Sequence, residues 1–225
     1  MPKAGFTYGP RIPPPEPGYK QIAREAKKEV MDSLAGLVEF EDAVLPHGSG
    51  EEATKTLVFK AAPAELLDKT VEIIRQADAE LALDTDARDK AIASLWFYEQ
   101  RIGLMKTVGI TSPNHIQGIL SKALTGNASN PSPSPDTAEQ LEETAKKAGV
   151  AHIKDAADTV VPLAVAVARA RARREIALFY SQEAVWLLSQ PPYNWKPQRI
   201  ADYAEVSRDL IYHHRRTAAK RRGLI

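Results

Sequence analysis

The chain has 225 residues and a formal net charge of +1, with 44% hydrophobic and 26% charged residues. This composition is ordinary for a globular protein and excludes the classes dominated by charge, by Gly and Pro repeats or by long apolar stretches. No cysteine is present, which excludes disulfide bonds and thiolate metal sites and fits a reducing cytosol.

Residues 1–18 contain six prolines and three glycines, a composition that forms neither a helix nor a central strand. We predict an extended arm in a polyproline-like conformation, which either wraps a partner subunit or is disordered. From residue 19, apolar residues recur at three- and four-residue spacing, which predicts an amphipathic helix at the start of an N-terminal helical domain over 19–125. A small β-hairpin is predicted near 37–60, on both sides of a loop at 46–50.

Two further helices are predicted within this domain, one over 63–81 and one over 84–106. The second carries the cluster Leu-Trp-Phe-Tyr at 95–98. We interpret these side chains as core residues, because a base-stacking surface needs more basic neighbours than this segment has. Residues 102–124 show a weaker pattern of two helices and a turn, in which the last helix is poor in cations.

Residues 126–137 alternate serine and proline in their second half, which resists both helix and strand and predicts a linker between two domains. Beyond it we expect a C-terminal helical domain over 138–225. A short charged helix at 138–149 precedes a long helix at 159–189, the second half of which is apolar on nearly every side. This long helix is the expected scaffold for the last part of the chain.

Charge is distributed unevenly along the sequence. Residues 165–225 carry 12 lysines and arginines against 5 acidic residues, whereas residues 1–164 carry 18 against 24. Such asymmetry predicts that the C-terminal end faces nucleic acid, and the alternative is a basic helix that is merely solvated.

Residues 195–218 predict two short helices joined by a tight turn. Asn194 is the expected N-cap of the first helix, Pro197 falls in its first turn, and Ser207 is the expected cap of the second. Apolar residues recur at helical spacing in both helices, so one side of each faces inward. The inward positions are Ile200, Ala201 and Ala204, Val206 in the turn, and Leu210, Ile211, His214 and Ala218.

The pattern Ile-Ala-x-x-Ala-x-Val-Ser-x-x-x-Ile-Tyr at 200–212 resembles the helix-turn-helix core of the Tet-repressor family and of the C-terminal modules of resolvases and invertases. The resemblance implies sequence-directed DNA binding through the second helix. Where that core usually has a glycine in the turn, this chain has Glu205, which carries a modest cost in strain if its backbone is left-handed. The candidate DNA-binding residues are Gln198, Arg199, Ser207, Arg208, Asp209, Tyr212, His213, Arg215, Arg216, Lys220, Arg221 and Arg222.

We therefore expect a mainly α-helical protein that binds duplex DNA and regulates transcription or a mobile element. A homodimer is expected, because one recognition helix reads only a few base pairs. Arg208, Tyr212 and Arg216 are expected to read bases, and the basic tail at 220–222 to follow phosphates. The alternative is an αα-hairpin in a protein–protein adaptor or assembly subunit, whose basic tail meets an acidic protein.

The sequence contains no pattern that indicates an enzyme, a cofactor or a metal site. The segment 47–50 lacks the lysine and context of a phosphate-binding loop, and the histidines at 47, 115, 152, 213 and 214 lack the spacing of metal ligands. Carboxylates at Glu39, Glu41 and Asp42 fit a solvated surface better than an acid–base pair. We find neither a signal peptide nor an apolar run that could span a bilayer, so we predict a cytoplasmic protein without membrane contact. The sequence indicates no particular small-molecule effector.

Overall fold

A computed structural model of the chain describes residues 8–43, 54–59, 62–130 and 137–224. Within these ranges the protein is mainly α-helical, as predicted, with one small hairpin. The expected loop at 46–50, the start of the arm at 1–7 and residues 131–136 of the expected linker lie outside them. The elements in chain order are α1 (Tyr19–Ser33), β1 (Val38–Ala43), β2 (Thr54–Phe59), α2 (Pro63–Phe97), α3 (Leu104–Thr107), α4 (Pro113–Thr125), α5 (Ala138–Lys147), α6 (Ala156–Leu188), α7 (Pro197–Ala204) and α8 (Arg208–Arg221).

Strands β1 and β2 confirm the small hairpin predicted near 37–60. They pair antiparallel, with Val38 opposite Phe59 and Ala43 opposite Thr54. The carboxylates at Glu39, Glu41 and Asp42 fall within β1.

Helix α2 differs from the sequence-based expectation, because the two helices predicted at 63–81 and 84–106 form one helix of 35 residues. Residues 81–86 contain neither Gly nor Pro, so nothing interrupts the backbone hydrogen bonding there. The helix ends at Phe97, well before residue 106. Gln100 and Gly103 then adopt positive φ angles of 47° and 80°, which turn the chain into the single-turn helix α3.

The described part of the N-terminal arm, residues 8–18, contains no helix or strand and is bound to its own chain. Arg101 Nη1 donates a hydrogen bond to the Pro10 carbonyl and Thr107 Oγ1 donates one to the Ile12 carbonyl, both at 2.6 Å. Ile12 also packs against apolar core residues. These contacts hold the described part of the arm against its own chain, and wrapping of a partner subunit stays a prediction.

The chain divides into two compact units, residues 1–23 with 79–170 and residues 24–78 with 171–225. This division differs from the one predicted from the linker, because the described residues on both sides of it, up to 130 and from 137, fall inside the first unit. Helices α1, α2 and α6 each contribute residues to both units. The units are therefore defined by the contacts of the long helices. The change in composition at the serine–proline segment does not mark a boundary between them.

The core of the first unit is built from α2, α4, α5 and α6. It includes Leu95 and Phe97, which are at most 1% exposed, so the aromatic cluster at 95–98 is confirmed as core. The Tyr98 hydroxyl donates a hydrogen bond to the Val150 carbonyl at 2.5 Å, which satisfies the polar end of a largely apolar ring. Residues 102–124, where the weaker helix–turn pattern lies, form α3 and α4 of this unit.

The core of the second unit surrounds the C-terminal half of α6. Every residue from 176 to 190 is buried or half-buried, as predicted for a central helix. Residues from α1, α2, α7 and α8 pack against it, among them Val30, Leu66, Ile200 and Ile211. The buried run also contains three polar residues, Ser181, Gln182 and Glu183.

Candidate nucleic-acid interface

Helices α7 and α8 form a helix pair at the C-terminal end of the second unit, which we call the α7–α8 pair. Pro197 occupies the first turn of α7, as expected, but the N-cap is Lys196 and not Asn194. Asn194 lies earlier, in the turn after α6, with φ of 50° and its N–H bonded to the Gln190 carbonyl at 2.9 Å. The prediction of Asn194 as N-cap is wrong because Asn194 belongs to the turn after α6. Helix α7 begins at Pro197, so the residue directly before it, Lys196, is the N-cap.

In the turn between the two helices, Glu205 does carry the strain cost of left-handed backbone. Glu205 is left-handed, with φ of 53° and ψ of 45°, and the Val206 N–H reaches back to the Ala201 carbonyl at 3.0 Å. Ser207 caps α8, since its side chain accepts a hydrogen bond from the Leu210 N–H at 3.2 Å.

Arg75 of α2 fastens this turn, a role that sequence reasoning missed. Its Nη2 donates to the Ala204 carbonyl at 3.2 Å and to the Glu205 carboxylate at 2.9 Å. The carbonyl bond satisfies one of the groups left free where α7 ends. The residues are about 130 positions apart in sequence, so no local pattern could reveal the contact.

The inward stripe of the pair is largely confirmed. Its buried members are Ile200, Ala201, Ala204, Ile211, His214 and Ala218. The prediction of an inward position is wrong for Leu210, which is 38% exposed. It lies one position before Ile211, at the edge of the buried stripe, where helical geometry turns part of a side chain toward solvent.

Most of the candidate DNA-binding residues share the outward surface of the pair. Arg215 is half-buried. Tyr203, which sequence reasoning missed, is also outward and 44% exposed. The exposed candidates that lie on this surface are Gln198, Arg199, Ser207, Arg208, Asp209, Tyr212, His213, Arg216 and Lys220.

Two cations of this surface lie over aromatic rings. The Arg199 guanidinium is 4.0 Å from the centroid of the Trp195 ring, which in turn meets the Tyr203 ring edge-on at 5.5 Å. The Arg208 guanidinium is 5.7 Å from the Tyr212 ring centroid. Stacking of this kind restricts the rotamers of arginine while leaving its N–H groups available.

Arg221 and Arg222 are placed differently from the other candidates. Both form ion pairs with Glu183 of α6, at 3.0 Å and 2.5 Å, and Arg221 also lies 4.4 Å from the Phe179 ring centroid. Glu183 is only 5% exposed. The expectation of a free basic tail at 220–222 is therefore corrected for two of its three residues, because a buried carboxylate holds them.

His214 is the unusual member of the inward stripe. It is 5% exposed, and its Nδ1 atom has no hydrogen-bond partner within the part of the chain that the structure describes. Burial, together with the smaller effects of the neighbouring His213 and Arg221, lowers the pKa of His214 from 6.5 to about 4. The imidazole is therefore neutral at pH 7 and packs as an apolar ring would.

The described ranges contain no group of three or more histidine, aspartate or glutamate side chains that could hold a metal ion. No helix within the same ranges combines the length and apolar character needed to cross a bilayer.

No protein-family model, no curated protein and no solved structure matches the chain.

Proposed function

We propose that the α7–α8 pair is a helix-turn-helix that binds duplex DNA, with α8 as the recognition helix. The observation that carries this proposal is the division of α8 into two sides. One side is buried through Ile211, His214 and Ala218, and the other exposes hydrogen-bonding and cationic groups. A helix anchored in this way can enter a major groove without losing core contacts.

The size and charge of α8 support the proposal. Its 14 residues include one carboxylate and five cations, of which Arg221 is paired with Glu183, and they span about 21 Å. The major groove is about 12 Å wide and admits one helix. Residues near the start of a recognition helix commonly reach base edges, and here those residues are Arg208, Asp209 and Tyr212.

Phosphate contacts are assigned to the exposed cations farther along the helix. They include Arg216, which was expected to read bases but lies about two turns after Arg208, away from the start of the helix. Arg216 and Lys220 lie on the outward side, and neither is held by an acidic residue in the ion pairs of the described chain. Arg221 and Arg222 do not take part, because Glu183 holds them.

We further propose that the protein acts as a homodimeric regulator of transcription or of a mobile element. One α8 reads only a few base pairs, and two copies placed a helical turn apart give usable specificity. An adaptor that offers the same basic surface to an acidic protein is the alternative.

A salt titration of binding to random-sequence duplex DNA separates these two functions. Fluorescence anisotropy with labelled duplex should show a linear fall of log K against log salt, with a slope of about −0.9 for each phosphate contact. Replacing Arg216 and Lys220 with alanine should flatten this slope by up to about 1.8, if each makes one contact. The matched control replaces the exposed Lys20 and Arg24 of α1 and should leave the slope unchanged. Absence of any salt-dependent DNA binding would favour the adaptor.

A further inference from the structure

A pocket of about 300 Å³ lies within the first unit, between α2, α4 and the loop that joins α5 to α6. Ala93 of α2, Ile119 of α4 and Val150 and Ile153 of the loop give it an apolar lining. The volume is at the lower end of the range for small-molecule sites, which are mostly apolar with a few placed polar groups. The pocket therefore fits a small molecule that has an apolar part.

The loop that forms one wall of the pocket is fastened to α2. The Tyr98 hydroxyl donates a hydrogen bond to the Val150 carbonyl at 2.5 Å, and the Ile153 N–H donates one to Ser94 Oγ at 2.8 Å. Ser94 is fully buried. Because this wall is already held in place, little ordering is needed when a ligand binds, and the affinity gains accordingly.

The carboxylate of Asp89, which lines the pocket, is fixed from behind by a buried arginine. Arg88 is 1% exposed, and its Nε and Nη2 donate to Asp89 at 3.0 and 2.6 Å. Both of these bonds go to Oδ1, and Oδ2 of Asp89 accepts no hydrogen bond from the residues that the structure describes. The guanidinium therefore orients a carboxylate oxygen that can still accept a bond from a cationic donor.

Lys122 of α4 supplies an ammonium group to the same pocket. The other lysine of the lining, Lys90, is bonded to Asp86 at 2.7 Å. Lys90 has the largest effect in lowering the pKa of Asp86, and Lys122 has a smaller electrostatic one. Lys122 Nζ itself forms no hydrogen bond or ion pair within the described part of the chain, so it is available to an anion.

We propose that this pocket binds a free α-amino acid with an apolar side chain. Asp89 Oδ2 accepts a hydrogen bond from the ammonium group of the ligand, and Lys122 donates one to its carboxylate. The side chain of the ligand packs on the apolar lining, which includes Ile119 and Val150. The lining carries two carboxylates and two ammonium groups, so a zwitterion suits it better than a simple ion. The site lies wholly within the first unit, and its test requires no DNA.

L-Leucine is the probe, and isothermal titration calorimetry of the full chain should show that it binds saturably. Two analogues each lack one of its charges: 3-methylbutylamine has no carboxylate and 4-methylpentanoate has no ammonium group. Both should bind at least tenfold more weakly, because each leaves one charged group of the pocket without its partner. Glycine, which has no apolar side chain, should also bind at least tenfold more weakly. Absence of saturable binding by L-leucine and by L-phenylalanine, or equal affinity for L-leucine and glycine, would overturn the site.

Lys122→Met tests the anionic end of the ligand, since it removes the charge and keeps an unbranched side chain at an exposed position. This variant should bind L-leucine at least tenfold more weakly than the wild type and should bind 3-methylbutylamine unchanged. Lys106→Met is the matched control, because Lys106 is exposed in the same unit and does not line the pocket. It should bind both molecules as the wild type does. An unchanged affinity of Lys122→Met for L-leucine, or an equal loss for the two molecules, would overturn the proposal.

The role of Asp89 is tested from the side of the ligand, because its replacement would leave the buried Arg88 without a carboxylate. The wild type should prefer L-leucine to 4-methylpentanoate at least tenfold, and Lys122→Met should retain a preference of the same size. Equal affinity of the wild type for these two molecules would show that the pocket does not bind an ammonium group and would overturn the assignment of an amino acid.

Discussion

The buried histidine His214 makes the stability of the second unit depend on pH. In the unfolded chain an ordinary histidine takes up a proton near pH 6.5, whereas the folded protein resists protonation until about pH 4. The unfolded state therefore binds more protons throughout this window, and the free energy of unfolding falls as pH drops from 6.5 to 4. The total loss is on the order of 3 kcal/mol for a shift of this size.

Replacing this ring with an apolar one should remove the pH effect. We predict that His214→Phe is at least as stable as the wild type at pH 7, because it also removes the unpartnered Nδ1, and that its stability changes much less between pH 6.5 and 4. Urea denaturation followed by circular dichroism measures this. His115→Phe, at an exposed position in the first unit, is the control and should retain the wild-type dependence. If the free energy of unfolding of His214→Phe fell between pH 6.5 and 4 as steeply as that of the wild type, His214 would not be the source of the pH dependence.

The C-terminal end of α8 is held by one carboxylate, that of Glu183 in α6. Glu183 accepts hydrogen bonds from Arg222 and forms an ion pair with Arg221, and its side chain is the most buried of the three. Removing its charge leaves two guanidinium groups that are about one-third exposed, so water replaces part of the lost interaction.

We predict that Glu183→Gln lowers the free energy of unfolding of the second unit by about 1–3 kcal/mol, the range for charge-assisted hydrogen bonds with partial exposure. Glu175→Gln is the control on the same helix, because Glu175 pairs with Lys27 but is 71% exposed. It should change stability by less than about 1 kcal/mol. Equal, small effects of the two substitutions in urea denaturation would show that Glu183 does not hold the end of α8.

At the level of elements, the sequence was informative wherever a local pattern decides the structure. The buried stripe of the α7–α8 pair and the Ser207 cap both follow from spacing and residue type. The contacts of Arg75 and Glu183 do not, because each joins segments that are distant in sequence. The sequence also did not reveal the role of Glu183. The apolar residues around it predict a buried helix and do not indicate a buried charge.

At the level of the whole chain, the long helices determine which segments fold together. Residues 79–130 and 138–170 belong to the same unit, although the serine–proline alternation between them predicted a domain boundary. That alternation reports local backbone preference, whereas unit membership depends on what α2 and α6 pack against.

Cleavage of the chain between these segments should therefore not separate them. We predict that a protease recognition site inserted at 131–136 can be cut to give two fragments on a denaturing gel, while size-exclusion chromatography shows them eluting together. The buried contacts of Leu95, Leu120, Leu141 and Val160 in one core keep the fragments associated. Separate elution of a folded 138–225 fragment would support the division at the linker instead.

The central claim is that α8 reads DNA sequence, and a comparison of two duplexes tests it most directly. A high-affinity duplex is selected from a random pool with the full chain, and its dissociation constant and that of a random duplex are measured by fluorescence anisotropy. Arg208→Ala should cost about 1–3 kcal/mol on the selected duplex and little on the random one, because it removes base contacts. Arg24→Ala, at an exposed position on α1, should affect neither. Equal losses on both duplexes for Arg208→Ala, or no selectable duplex at all, would contradict the claim.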